Sequence, residues 1–390
     1  MKYLIVLGDG MADEPIAELG GRTPLEVADT PFMDQIAREG AMGLLKTVPD
    51  GYQPGSDIAN LGVLGYDVKT SYTGRGALEA ASMGINLGPA DMAYRCNLVT
   101  ITDRVMTDFS AGHISSPEGA ALLEALNEEL RKTYLHKTAV FYPGVSYRNL
   151  MVMPGGEGVE STPPHDIVDQ KIEEWLPKGP DRDLILSLME ISSRVFDKHP
   201  VNKERIAAGK KPVTHIWPWS SGKRPEISHF SERWGISAGM ISAVDLLNGI
   251  AQYAGMEIVR VPGATGFLDT DYNAKARYAI EALKHLDFLY LHVEAPDEAG
   301  HMGDLKEKIL AIERVDAMLG VIMQEFDGRI AVLPDHPTPI RVKTHTMDPV
   351  PFAIRGIRTD GCTRFSEKEA ASGGYGSMKG TDLLPLLLSE

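Results

Sequence analysis

Three unbroken apolar runs in this chain each stop at an acidic residue or a histidine. Residues 2–7 run into Gly8-Asp9-Gly10. Residues 287–293 run into a segment carrying Asp297 and His301, and residues 329–333 run into Asp335-His336. A short apolar run without alternation fits a strand buried on both faces. With helical stretches between the runs, the pattern predicts an α/β fold built on a doubly wound, mostly parallel sheet. In open sheets of this kind ligands collect beyond the carboxyl ends of the strands. Asp9, Asp297, His301, Asp335 and His336 are therefore expected along one edge. Pro337 and Pro339 forbid continued pairing, so the chain turns there and His345 can return to the same edge.

At 390 residues the chain exceeds the size at which one core usually divides, so two domains are expected. A net charge of −15 argues against a general nucleic-acid binder, which shows a basic face. It leaves room for a small anionic substrate held by local cations. Two cysteines, Cys96 and Cys362, make no disulfide framework and point to a reducing cytoplasm. The amino terminus enters a strand directly, without the charged, apolar and small-residue succession of a signal peptide. No apolar run approaches a membrane span.

Between the metal-type strands the pattern predicts helices at 31–39, with Thr30 as cap and Pro31 in the first turn, and at 240–254, 274–286 and 305–326, with strands at 43–48, 214–219 and 257–261. From about residue 88 the texture changes: strands at 95–101 and 150–153, helices at 117–131 and 181–196, then a polar linker at 199–212. This interruption predicts an inserted smaller α+β domain at 88–210, with the core formed by 1–87 and 211–390. Residues 371–377 read as a flexible loop.

Ser56 follows a turn-rich loop and opens a helix. A Ser there is ordinarily a helix cap. The alternative is a nucleophile, because a helix amino terminus suits a phosphoryl group and a metal or base could ionise the hydroxyl. The ligand candidates sort into two sets: Asp297, His301 and His345, and Asp9, Asp335 and His336 with Ser56 Oγ. Mixed carboxylate and imidazole sets suit Mn²⁺ or Zn²⁺, and a pair of such ions serves phosphoryl transfer.

Asp9, the Gly55-Ser56 helix start, Asp297-x-x-x-His301, Asp335-His336 and His345 fall in the order of the alkaline phosphatase superfamily. Within it the chain resembles the cofactor-independent phosphoglycerate mutases of the short archaeal type, on Gly8-Asp9-Gly10-Met11, Arg75-Gly76-Ala77-Leu78-Glu79-Ala80, Ile216-Trp217-Pro218-Trp219, Val261-Pro262-Gly263-Ala264-Thr265-Gly266 and the segment from His292 to His301. The resemblance covers essentially the whole chain. It implies an alkaline-phosphatase-like core with two divalent metal ions, usually Mn²⁺, with Zn²⁺ or Mg²⁺ as alternatives. It also implies a Ser56 that becomes phosphorylated, an inserted domain that binds glycerate, and no need for bisphosphoglycerate. Asp9, Asp335, His336 and Ser56 are implied to hold one ion, and Asp297, His301 and His345 the other. His113, Arg148, Lys223 and Arg224 are the implied substrate contacts. The expected reaction interconverts 3-phosphoglycerate and 2-phosphoglycerate. A phosphatase, a phosphonate hydrolase or another phosphotransferase, such as homoserine kinase, would use the same site, and a non-catalytic metal-dependent binding protein is the reading from another class.

Overall fold

A computed structural model of the chain describes residues 1–133 and 135–389. The chain divides into two compact units, Met1–Tyr72 with Glu226–Glu390, and Thr73–Pro225.

The first unit is an eight-stranded sheet, in the order Gly376–Lys379, Gly40–Lys46, Val350–Arg355, Arg329–Leu333, Tyr3–Gly8, Phe288–Val293, Ala238–Ile241, Glu257–Ile258. The five strands from Arg329–Leu333 onward are parallel, and Val350–Arg355 runs antiparallel to both its neighbours. The three apolar runs are thus adjacent central strands, and their residues are almost fully buried. Register sets Gly8 beside Val293 and Leu7 beside Leu333, so the residues that follow each strand emerge at one level.

Several expectations are corrected here. Residues 240–254 are not one helix: Ala238–Ile241 is a central strand, and the helix begins at Asp245. A strand buried on both faces shows no alternation to distinguish it from a buried helical turn. Val350–Arg355 is likewise a strand, despite Pro351. The segment 371–377 ends in the strand Gly376–Lys379. Thr30 does not cap the Pro31–Glu39 helix through its side chain. Instead the Asp316 carboxylate, from the Leu305–Met323 helix, accepts from the backbone N–H groups of Phe32 and Met33, at 3.1 and 2.7 Å.

The second unit is a five-stranded sheet in which Met92–Thr102 is the hub. It pairs antiparallel with Arg148–Met153, His215–Lys223 and Val105–Asp108, and Val140–Val145 adds to Arg148–Met153. Helices Ser116–Lys132 and Arg182–Lys198 contribute Leu122, Leu126, Ile185 and Leu188 to its core. The Arg75–Ser82 helix supplies Ala77 and Ala80 to a smaller cluster with Ala93 and Leu150 of this sheet. That packing draws the unit boundary to residue 73, ahead of the change in texture at 88. At the other end the strand His215–Lys223 stays with the unit because it pairs with Met92–Thr102. The polar linker contains a helix, Pro200–Ala207, opened by Pro200 and by His199 Nδ1, which accepts from Val201 N–H. Pro in a first turn loses no helical hydrogen bond, so a proline there marks a start and not a break.

Candidate active site

The strand ends of the first unit bring Asp9, Ser56, Asp297, His301, Asp335, His336 and His345 to one place. Asp9 leaves the Tyr3–Gly8 strand through Gly10, whose φ is 62°. A Cβ on Gly10 would lie 2.6 Å from Thr338 Oγ1 and 2.7 Å from Asp297 Oδ1, so only glycine fits this left-handed, crowded corner. Gly10 N–H also donates to Asp335 Oδ1 at 3.3 Å.

Ser56 is the first residue of the Ser56–Val63 helix, with Gly55 as the N-cap, and no side-chain cap is made. The plain cap reading therefore fails. Ser56 Oγ stands 3.3 Å from Asp9 Oδ2 and 3.2 Å from His336 Nε2. His336 Nε2 is 3.5 Å from Asp9 Oδ1 and 3.6 Å from Asp335 Oδ2. In the other set, His301 Nε2 is 3.1 Å from Asp297 Oδ2, and His345 Nε2 is 3.4 Å from Asp297 Oδ1.

The histidine tautomers follow from their neighbours. His301 Nδ1 faces the Lys343 carbonyl at 3.0 Å, and His345 Nδ1 faces the Pro54 carbonyl at 3.3 Å. A carbonyl only accepts, so both Nδ1 atoms carry hydrogen, and in the neutral rings both Nε2 atoms present lone pairs. Those two Nε2 atoms lie 3.1 Å apart beside a carboxylate. Acceptors so placed repel unless a proton or a metal ion lies among them, and an N–H held by a backbone carbonyl is the usual setting of a metal-binding imidazole. Each of the triads Asp297–His301–His345 and Asp9–Asp335–His336 offers donor atoms within 4.8 Å of one another.

The electrostatics carry the same message. Burial, and the nearby Asp335, Asp297 and Glu294 carboxylates, push Asp9 well above the ordinary carboxylate range. Burial also works against ionisation of Asp297, but hydrogen bonds from His301 and His345 outweigh it and hold it well below that range. His301, bonded to Asp297, is raised to about 9, and burial lowers His336. Mutually repelling buried carboxylates with facing lone pairs fit a pair of divalent cations.

Several supporting residues escape a sequence reading. Asn60 Nδ2 donates to Asp335 Oδ2 at 2.8 Å and to the Ser56 carbonyl at 2.7 Å, while its Oδ1 accepts from Tyr290 O–H. Thr338 O–H donates to Asp297, and its Oγ1 lies 3.3 Å from His336 Nδ1, linking the two triads. Lys308 is fully buried and binds Asp13 at 2.8 Å, with further bonds to the Ala12 and Thr338 carbonyls. It ties the loop after Asp9 to the loop after His336. The one available signal was Lys308 falling on the apolar stripe that continues through Ala311, Ile312 and Val315.

In the second unit His113 is exposed, at φ 48°, with its ring 6.1 Å from Tyr147, the residue before Arg148. Arg148 is exposed at the start of its strand, opposite Asn97. Ring contacts continue from Tyr147 to Phe109, His165 and Trp219, and the Arg95 guanidinium lies 4.2 Å above the Trp219 ring. Lys223 pairs with Met92, five residues along the same strand from Asn97, so Lys223 and Arg148 are offset by about 17 Å along that strand and lie on its opposite sides. Lys223 instead lines a cavity of about 570 Å³ with Glu157, Lys178 and Ser221. The four implied contacts therefore do not form one cluster.

Residues 37–202 match the family described as 2,3-bisphosphoglycerate-independent phosphoglycerate mutase. The chain is 49% identical to a protein of that description from Methanosarcina acetivorans, across all of both chains. It is 50% identical to one of two such proteins of Methanothermobacter thermautotrophicus, over all of this chain and 97% of the other. Among solved structures it is similar to a protein of Pyrococcus horikoshii, with a TM-score of 0.85 and 34% identity, over 99% of this chain and 96% of that one. It is also similar to a cofactor-independent phosphoglycerate mutase of Thermoplasma acidophilum, with a TM-score of 0.69 and 26% identity, over 100% and 99% of the two chains.

Proposed function

The chain belongs to the 2,3-bisphosphoglycerate-independent phosphoglycerate mutases, and from that premise we propose how its residues interconvert 3-phosphoglycerate and 2-phosphoglycerate. Ser56 is the nucleophile. Its Oγ bonds to phosphorus, the bond to the glycerate oxygen breaks, and the phosphoryl group then passes from Ser56 to the other glycerate hydroxyl. The Ser56 hydroxyl donates toward Asp9 Oδ2 at 3.3 Å, which orients its oxygen. The helix amino terminus beneath Ser56 directs its positive dipole end at the phosphoryl oxygens.

Two divalent cations, one held by Asp9, Asp335, His336 and Ser56 and the other by Asp297, His301 and His345, would neutralise charge on the phosphoryl oxygens and acidify the serine hydroxyl. The mixed nitrogen and oxygen donors favour Mn²⁺ over Mg²⁺. Asn60 holds Asp335 and the Ser56 carbonyl together, and Thr338 aligns His336 with Asp297. We assign the glycerate contacts to the second unit, with Arg148 for the carboxylate and His113 for a hydroxyl. Such an enzyme works in the cytoplasm.

The observation that carries this reading is Ser56 Oγ at hydrogen-bond distance from both Asp9 and His336, beside two triads of converging acceptors. Ser56→Ala should abolish mutase turnover in a folded protein, and wild-type enzyme quenched during turnover should carry phosphate on Ser56. Substantial turnover by the variant removes Ser56 as the nucleophile. Parallel assays of ATP-dependent homoserine phosphorylation test the rival acceptor.

A further inference from the structure

A cavity of about 530 Å³ lies in the first unit, and none of its lining residues belongs to the site described above. Three segments meet at its wall. Gly62 comes from the helix that Ser56 opens, Thr47 follows the Gly40–Lys46 strand, and Gly380 opens the Gly380–Leu388 helix. A Cβ on Gly62 would lie 3.3 Å from the Thr47 carbonyl oxygen, and one on Gly380 would lie 3.3 Å from Thr47 Cα, so the three backbones are closely packed. Ser56 and Gly62 stand near opposite ends of their helix, about 9 Å apart along its axis.

The chain has a net charge of −15, yet Lys46, Lys69, Arg233 and Lys379 line this cavity against only two carboxylates, Asp50 and Asp67. Both carboxylates are engaged. Asp50 accepts from Lys46 Nζ at 2.6 Å, and Asp67 caps the Val68–Ser71 helix by accepting from Lys69 N–H at 3.0 Å. Arg233 is anchored by one N–H, donated to the Gly65 carbonyl at 2.8 Å, with its guanidinium 5.1 Å from the centre of the Trp234 ring. Lys69 and Lys379 are exposed and have no ion-pair partner among the described residues. Two uncharged donors of the lining are unspent as well. Thr47 is only 3% exposed, and its hydroxyl has no hydrogen-bond partner among the described residues. Trp234 Nε1 is buried and also without one. A buried donor left unpaired costs roughly 1–3 kcal/mol. Surplus cations and unpaired donors around one hollow match an anion that accepts hydrogen bonds.

The geometry points to a second ligand site in this cavity, for a phosphate group, free or carried on a small organic molecule. Ammonium and guanidinium groups hold phosphate through charge-assisted hydrogen bonds. Lys69, Lys379 and Arg233 supply these, and the Thr47 hydroxyl adds a neutral one. The volume suits a small organic molecule, and Pro49, Val68 and Pro385 give its body an apolar wall. The site is independent of the chemistry at Ser56. Its occupant would rest on the far end of the Ser56 helix and touch no reacting atom.

Trp234 is the one tryptophan of the first unit, so its emission reports on the cavity wall. Mn²⁺-loaded full-length chain is titrated at fixed ionic strength with inorganic phosphate and, separately, with adenosine monophosphate. At least one probe should give a saturable change in tryptophan emission that Trp234→Phe lacks. The Lys69→Gln/Lys379→Gln double variant, with the circular dichroism of the wild type, should bind that probe about tenfold more weakly or worse. Thr47→Val should weaken it too. Saturation by both probes identifies the phosphate group itself as the ligand; saturation by one alone identifies free phosphate or an organic phosphate. No saturable change with either probe would overturn the site. So would a change that survives in Trp234→Phe, one that keeps wild-type affinity in the double lysine variant, or one that chloride reproduces. Should Thr47→Val fail to fold, the lysine variant decides. The phosphorylation of Ser56 is read in a separate assay, so the two readings stand or fall apart.

Discussion

His345 shows how a single residue reaches the site without belonging to a strand end. It lies nine residues beyond His336 on an irregular loop, yet its ring sits 3.9 Å, centroid to centroid, from that of His336. Removing either ion's ligands should be felt at once. Chelation is expected to abolish mutase activity, with Mn²⁺ restoring more of it than Mg²⁺; full activity in protein shown to be metal-free would defeat the scheme. Lys308 poses a different question, of stability. Its ammonium and the Asp13 carboxylate form an ion pair with no solvent exposure on either side chain. Lys308→Met leaves the carboxylate buried and unpaired, which typically costs about 3–5 kcal/mol. Chemical denaturation should show a loss of that order, and replacing Asp13 with an apolar residue in the same chain should recover part of it.

At the scale of elements, the contact between two helices carries a pH signature. Asp316 takes the place that a capping side chain would fill for the Pro31–Glu39 helix. Burial raises its pKa to about 6, against 3.8 for the ordinary side chain, even though the two backbone N–H groups work to lower it. A folded state that binds a proton more tightly than the unfolded chain is stabilised by acid. The contribution is fully present below about pH 4 and is lost as pH rises to about 6. Asp316→Asn should remove that part of the slope, and denaturation midpoints measured across this window for both proteins will show whether the slopes differ. The helix carrying Ser56 has another logic. It is nearly all buried, and its cap is Gly55, so the serine is released from capping and turned toward Asp9.

The whole molecule separates two chemistries into two units: converging acceptors in the first, and exposed Arg148 and His113 beside a row of largely covered rings in the second. If His113 and Arg148 hold glycerate, they act on substrate and not on the metals. Changing either to Ala should lower mutase activity on the order of 100-fold or more. Metal content should stay at the wild-type value, and slow hydrolysis of an aryl phosphate, which needs Ser56 and the ions alone, should persist. Parallel loss of aryl phosphate hydrolysis or of metal would instead attach these residues to the core site or to folding. The ring row that runs from His113 through Tyr147, Phe109 and His165 to Trp219 marks the face on which further contacts are to be sought.

The order of apolar runs was enough to derive the α/β core and the edge at which its acidic and imidazole side chains meet. Burial on both faces forces continuous hydrophobicity, and parallel pairing sends every strand's carboxyl end the same way. The family order of Asp9, Ser56, Asp297, His301, Asp335, His336 and His345 was likewise written in the chain. Other features depend on tertiary placement. Asn60 and Thr338 are ordinary polar residues until folding aims them at Asp335 and Asp297. Ala238–Ile241 becomes a strand because Phe288–Val293 is there to pair with it. Asp316 replaces a local cap from nearly three hundred residues away, and the Arg75–Ser82 helix joins the second unit through the alanines it lays on that unit's sheet. Local pattern reports what a residue can do, while the distance and burial that decide whether it does so are set by segments far apart in the chain.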